Sequence, residues 1–116
     1  MGKNIDYYLS KGFNIKMAEY FSKGRRTIVS VVANDDYTLT LEFDNGEKRL
    51  YNVAPLIKQD TVFENLADLS KFRRVYIDDN HFISWDINPN IDSNTVWNNK
   101  ITIDSDVCYV YGEKIQ

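Results

Sequence analysis

The sequence predicts an α+β fold: short N-terminal helices followed by a mainly antiparallel sheet with a β-meander and a short helical connection. Three observations carry this. The first quarter holds a near-repeat, "YLSKG" at Tyr8–Gly12 and "YFSKG" at Tyr20–Gly24, each a helical pattern ending in Lys-Gly. From Thr27 the apolar period changes to two, as in "YTLTLEF", where Tyr37, Leu39, Leu41 and Phe43 alternate with polar residues. Between two such runs stands "DNG" at Asp44–Gly46, because Asn-Gly supplies the positive φ angles of a tight hairpin.

The helices are expected over roughly Asn4–Lys11 and Ile15–Lys23, with Asn14 as N-cap of the second and Met17, Ala18 and Phe21 on its inner stripe beside Tyr20. "TIVSVVA" and "YTLTLEF" then form two strands joined by a turn at Asn34–Asp36, and "KRLYNV" pairs back as the third. Pro55 ends that strand, since proline brings no N–H to the ladder. Leu56–Phe72 reads as irregular or short-helical, with Val62, Phe63, Leu66, Leu69 and Phe72 dropping onto the sheet and Asp68 or Ser70 capping a turn. "RVYID" and "HFISWD" are two short strands joined through Asp79 and Asn80. In "DSNTVWNN", Asp92 or Ser93 is expected to cap a helical turn that points Val96 and Trp97 inward. A strand pair or fraying tail, "KITID" and "VCYVYG", closes the chain.

At 116 residues, with 43% hydrophobic and 14% aromatic side chains, the chain suits one domain over 1–116. It divides into a helical N-terminal extension, 1–26, and a sheet-based body, 27–116. The net charge of −3 is unevenly placed: residues 1–26 carry six Lys/Arg against two acids, whereas 27–116 carry eight against fifteen. A basic cap docked on its own acidic body is the simplest reading of that split. Cys108 stands alone, which excludes an intramolecular disulfide and a multi-cysteine metal site and suits a reducing compartment. Lys3 is followed by Asp6 and two tyrosines rather than a long apolar core, and no apolar run is long enough to span a bilayer, so a cytoplasmic location without membrane contact is expected.

"WDINPNIDSN" places Asp86, Asn88, Asn90, Asp92 and Asn94 at alternate positions, as a calcium loop would. That template needs glycine at its sixth position and glutamate at its twelfth, where this chain has Ile91 and Trp97. A turn followed by a cap is the better reading, and no metal or cofactor is expected. His81, the single histidine, falls in the turn "DDNHF"; Cys108 reads as a small buried hydrophobe in a β-like stretch; Asp78 and Asp79 read as a solvated turn. No catalytic residues are assigned.

The run "IVSVVANDDYTLTLEFDNGEKRLYNVAPLI", followed by "VFENL", "FRRVYIDDNHFISWD" and "NIDSNTVW", resembles the prokaryotic family termed domain of unknown function 2442, over roughly 27–98. The chain departs from the family's pattern where "WDINPNIDSNTVW" replaces Trp-Pro-x-Gly. The resemblance implies a small α+β fold without an established activity, and some members resemble antitoxin-type proteins encoded beside a second small protein, which implies a protein partner.

The expected function is therefore a non-enzymatic protein-interaction module, either self-associating or an antitoxin-like partner of a small neighbouring protein. Its sixteen aromatic residues exceed what one small core absorbs. The expected binding face is the tyrosine-rich arm, Tyr7, Tyr8 and Tyr20, with Arg25 and Arg26 as charged anchors. The alternative is a regulatory protein that binds nucleic acid through the same basic arm, which would show as steeply salt-dependent affinity. A hydrolase using His81 is the weakest alternative.

Overall fold

A computed structural model describes residues 4–115; Lys3, which entered the reading of the N-terminus, and Gln116 lie outside them. The chain opens with two helices, α1 (Ile5–Ser10) and α2 (Ile15–Lys23). Asn4 and Asn14 cap them, each side-chain oxygen accepting an N–H at 2.9 Å, from Tyr7 and from Met17. Gly12 and Gly24 follow the helices at φ 96° and 97°, as the Lys-Gly endings predict. The two helices meet through rings: Tyr8 stacks on Phe21 at 5.2 Å and Phe13 lies 4.9 Å from Phe21.

The body contains two antiparallel sheets. Strands β1 (Ile28–Ala33), β2 (Thr38–Phe43) and β3 (Lys48–Asn52) form the expected meander. The β2–β3 turn differs in detail from the expectation. Only Gly46 takes a positive φ, 80°, its N–H reaching the Phe43 carbonyl, while Asn45 instead accepts the Glu47 N–H on its side chain. A 3₁₀ turn at Ala54–Leu56, with Pro55 in its first turn, leads to a second at Val62–Ala67 and to the one-turn helix α3 (Leu69–Phe72), capped by Asp68 through the Ser70 N–H. Leu66 and Phe72 are buried and Phe63 and Leu69 pack against them, but Val62 is exposed, contrary to expectation. Strands β4 (Tyr76–Ile77), β5 (Ile83–Asp86) and β6 (Lys100–Ile103) form the second sheet in that order.

Beyond β6 the chain corrects the sequence reading. "VCYVYG" is not a strand but the helix α4 (Ser105–Tyr111), and the residues after it form β7 (Glu113–Ile115), which pairs with β3 to make the first sheet β1-β2-β3-β7. The helix wins because Asp104 caps it, accepting the Asp106 N–H at 2.8 Å, and because Cys108 drops into the core; packing overrides the β preference of valine and tyrosine. At the end of α4 a Cβ on Gly112 would lie 2.3 Å from the Cys108 carbonyl oxygen and 3.2 Å from Arg49 Cβ. Gly112→Ala is therefore expected to cost about 1–3 kcal/mol by displacing β7, measured as a lowered urea midpoint.

One core joins the two sheets: Leu39, Leu41 and Phe43 of β2 meet Ile83 and Trp85 of β5, with Phe72 and Cys108 closing the sides. The segment "DSNTVWNN" makes the single turn capped by Asp92, whose carbonyl accepts the Val96 N–H at 3.0 Å, but the turn does not face inward. Val96 and Trp97 are exposed, Trp97 by 83%, and only Trp97–Asn99 makes a 3₁₀ turn. The Asn88 side-chain oxygen accepts the Asn90 N–H in a turn of its own, and that of Asp92 accepts the Asn94 N–H as the cap.

Candidate functional site

The residues expected to bind a partner lie on the arm and on its seam with the body. Both faces of α2 are in use there. Its inner face sets Tyr20 against α4: the Tyr20 hydroxyl donates to Asp106 Oδ1 at 2.6 Å and accepts the Arg26 N–H at 2.7 Å. Arg25 closes on the same carboxylate, with Nε 3.1 Å from Oδ1 and Nη2 2.5 Å from Oδ2. Asp106 is nearly buried, its side chain 5% exposed, whereas that of Arg25 is 59% exposed. Burial first, then the bond to Asp106, push the Tyr20 phenol far above its ordinary value, so it stays a donor. Asn14 adds a bond to the Tyr111 hydroxyl at 2.7 Å. The sequence could not show this latch, because its acceptor is 81 residues from Arg25.

Asp104 stands beside it. Its carboxyl is raised above the usual range, first by burial and further by the Asp106 charge, against the opposing bond from the Asp106 N–H. A folded value above the unfolded one means a contribution to stability that is complete below the ordinary aspartate value of about 4 and is lost as pH rises through the folded value. Asp104→Asn keeps the cap and removes the titration. It is expected to raise stability at pH 7 relative to the parent and to change it little near the unfolded value, read from denaturant midpoints at the two pH values.

Of the five expected binding residues, then, Tyr20 is withdrawn from the surface at 7% exposure and Arg25 is held by Asp106. Arg26 lies 3.6 Å from Asp44. These three dock the basic arm on its own acidic body. Tyr7 remains 41% exposed on α1, and Tyr8 is half-buried against Phe21 with Tyr7 edge-on to it at 5.2 Å. Sequence reasoning missed Leu9, Phe13 and Ile15, which the structure leaves 40–53% exposed beside them. It could have found them from the end of α1, the loop and the start of α2, where Leu9, Phe13 and Ile15 follow one another with too short a pair of helices to cover all three.

On the other side of the seam an open cleft of about 480 Å³ runs between α2 and the β2–β3 turn, lined by Lys16, Glu19 and Lys23 of α2 and by Arg26, Asn45 and Arg49 among others. Arg49 lies over the Tyr109 ring at 4.1 Å and donates to Glu47 at 2.7 Å and to the Gly112 carbonyl at 3.3 Å. Burial alone would raise the Glu47 carboxyl, but the Tyr109 hydroxyl, Arg49 and Lys114 together hold it below its ordinary value.

The other residues weighed for chemistry are placed apart from this seam. His81 is exposed in the Asp78–Phe82 turn at φ 64°. Cys108 is a buried thiol on α4 rather than on a strand, and burial pushes its pKa upward. Asp78 is not solvated. It accepts from the Asn80 and Phe82 N–H groups and Ser84 Oγ and pairs with Lys100 at 2.8 Å, and these partners outweigh burial and lower its pKa. Asp79 is exposed. In the suspected calcium loop, Asp86 Oδ1 accepts from Tyr76 and Ser93, and buried Asn99 reaches Asn88, Ile91 and Ser93, so the loop is closed around an amide side chain. Among the described residues no group of three or more His, Cys, Asp or Glu could hold a metal ion, and no helix is long and apolar enough to cross a membrane.

No curated protein and no solved structure matches the chain. A family model does, over residues 28–102, from the start of β1 into β6, and so leaves the arm, α4 and β7 outside it. The order of strands, the Asp-Asn-Gly hairpin and the Trp85 strand all fall within that span, and by it the chain belongs to the family described as Protein of unknown function (DUF2442).

Proposed function

We propose that the chain is a non-enzymatic binding module that acts through protein contacts made by the outer face of its helical arm. One observation carries this reading: α1 buries none of its residues, and Tyr7, Leu9, Phe13 and Ile15 leave a continuous stretch of chain with large apolar side chains in water. The arm is basic as well, with six Lys/Arg against two acids in residues 1–26. The fitting partner is a small protein with an apolar patch rimmed by carboxylates, met in a reducing, cytoplasmic setting that suits the free Cys108. An antitoxin-like relation to a small protein encoded beside it is the finer form of the proposal. Nucleic-acid recognition through Arg25 and Arg26 has less support, because Asp106 already holds Arg25 and leaves only the looser Arg26 for a strand's phosphates.

The test titrates the purified chain with the small protein encoded next to it and compares Leu9→Asp/Ile15→Asp, two exposed positions whose change leaves the core alone. Binding that weakens at least about tenfold in the double variant supports the module. Self-association lost in the same variant keeps the arm as the contact face and makes the partner a second copy. A chain that stays monomeric and binds nothing, or binds equally well with both aspartates in place, overturns it.

A further inference from the structure

The cleft between α2 and the β2–β3 turn has a composition that the protein-contact reading does not use. Lys16 and Lys23 are seven residues apart on the face of α2 that lines it, and neither has an acidic partner within ion-pair distance among the described residues. Arg26 is only loosely answered: Asp44 lies 3.6 Å away and both side chains are about one-third exposed. Arg49 lines the cleft as well, although its two terminal nitrogens already reach Glu47 and Gly112 and its Nε is buried. Asn45 stands at the rim, its amide nitrogen 3.4 Å from both Glu47 and the Tyr109 hydroxyl. Glu19 is the single carboxylate in the lining, in a chain whose net charge is −3. Cationic donors thus converge from the arm and the body on one solvent-filled space, where an acidic protein would be expected to show the opposite sign.

We infer that this cleft binds a small phosphate ester, its phosphate taken between Lys16 and Lys23 on one side and Arg26 on the other, with the charge of Arg49 in the lining. A phosphate dianion accepts hydrogen bonds on several oxygens at once, which suits donors arriving from separate elements better than a single carboxylate does. The volume matches a small metabolite rather than a bare ion, and the Tyr109 ring and Val110 supply apolar lining for the remainder of the molecule. Such a ligand touches both the arm and the body, so its binding also stabilises the docked arm.

The experiment follows backbone amide shifts on titration with inorganic phosphate, pyrophosphate and adenosine monophosphate, against sodium chloride of matched ionic strength. The expected result is saturable shifts at Lys23, Gly24 and Asn45. Affinity should fall at least about tenfold in Lys16→Gln/Lys23→Gln, rise in Glu19→Gln, and stay unchanged in Lys58→Gln, an exposed lysine outside the cleft. Shifts that do not saturate, that chloride reproduces, or that Lys58→Gln weakens equally overturn the assignment. So does tighter binding of a single-stranded oligonucleotide than of all three probes, lost in the double variant, which would give the cleft to nucleic acid. All three variants bear exposed substitutions, and unchanged amide spectra elsewhere confirm that each is folded.

Discussion

Trp85→Ala is expected to be the most damaging single substitution in this protein, at about 3–5 kcal/mol. Trp85 is 1% exposed at the centre of β5, stacks on Phe72 at 5.8 Å and donates its indole N–H to the Phe72 carbonyl at 2.8 Å. Alanine would leave a cavity between the sheets and an unanswered carbonyl at the end of α3. Domains of this size are commonly stable by about 5–15 kcal/mol, so the variant would sit near the edge of folding at room temperature. Trp85→Phe narrows the two effects: most of the volume remains while the donor goes, for about 1–2 kcal/mol from the donor and a smaller cavity cost beside it. Urea denaturation of both variants measures them. A loss under about 1 kcal/mol for the alanine variant would mean that the two sheets do not share a core built on this ring.

Asp106→Ala comes second, at about 2–3 kcal/mol, because it removes the buried acceptor of Tyr20 and Arg25 together. The two partners are unequal. Arg25 is largely in solvent and its own removal should cost under about 1 kcal/mol, since water replaces the carboxylate. Tyr20 is buried and cannot turn to water, so its hydroxyl would keep only Arg26. Hydrogen exchange gives a second readout. In Asp106→Ala the amides of α2 should lose protection toward the level of α1 while β2 and β5 keep theirs. Unchanged protection in α2 would show that the ring packing of Tyr20 on Tyr109, 5.2 Å apart, holds the arm without the carboxylate.

Much of the candidate site was hidden for a reason that these variants expose. "YFSKGRR" reads as a basic, aromatic, exposed run, and its Tyr, Phe and Arg residues are types enriched at interfaces. Whether such a run faces outward depends on what it meets, and here Tyr20 and Arg25 meet Asp106, in the first turn of the helix whose remainder was read as a terminal strand. Mistaking α4 for a strand and reading Tyr20 as a surface residue are thus one error. The missed signal was local: Asp104 and Ser105 before an apolar run, with Gly112 after it, are the start and stop of a helix. The loop from Asp86 to Asn94 went the other way, since its alternating oxygens were read as a turn and a cap and serve as both, while Val96 and Trp97, expected to point inward, stay in water.

By itself the sequence determined what depends on near neighbours in the chain: the capped helices, the meander strands with their two-residue period, the break at Pro55 and the family over 28–102. These follow from backbone sterics, capping hydrogen bonds and apolar periodicity, all acting within a few residues. Only the tertiary structure decided that Glu113–Ile115 completes the first sheet, that Asp106 receives the arm, and that Trp97 stays in water while Trp85 is enclosed. Such outcomes turn on which distant groups compete for the same buried space and the same hydrogen-bond acceptors. That competition is settled when the sheets close on their common core.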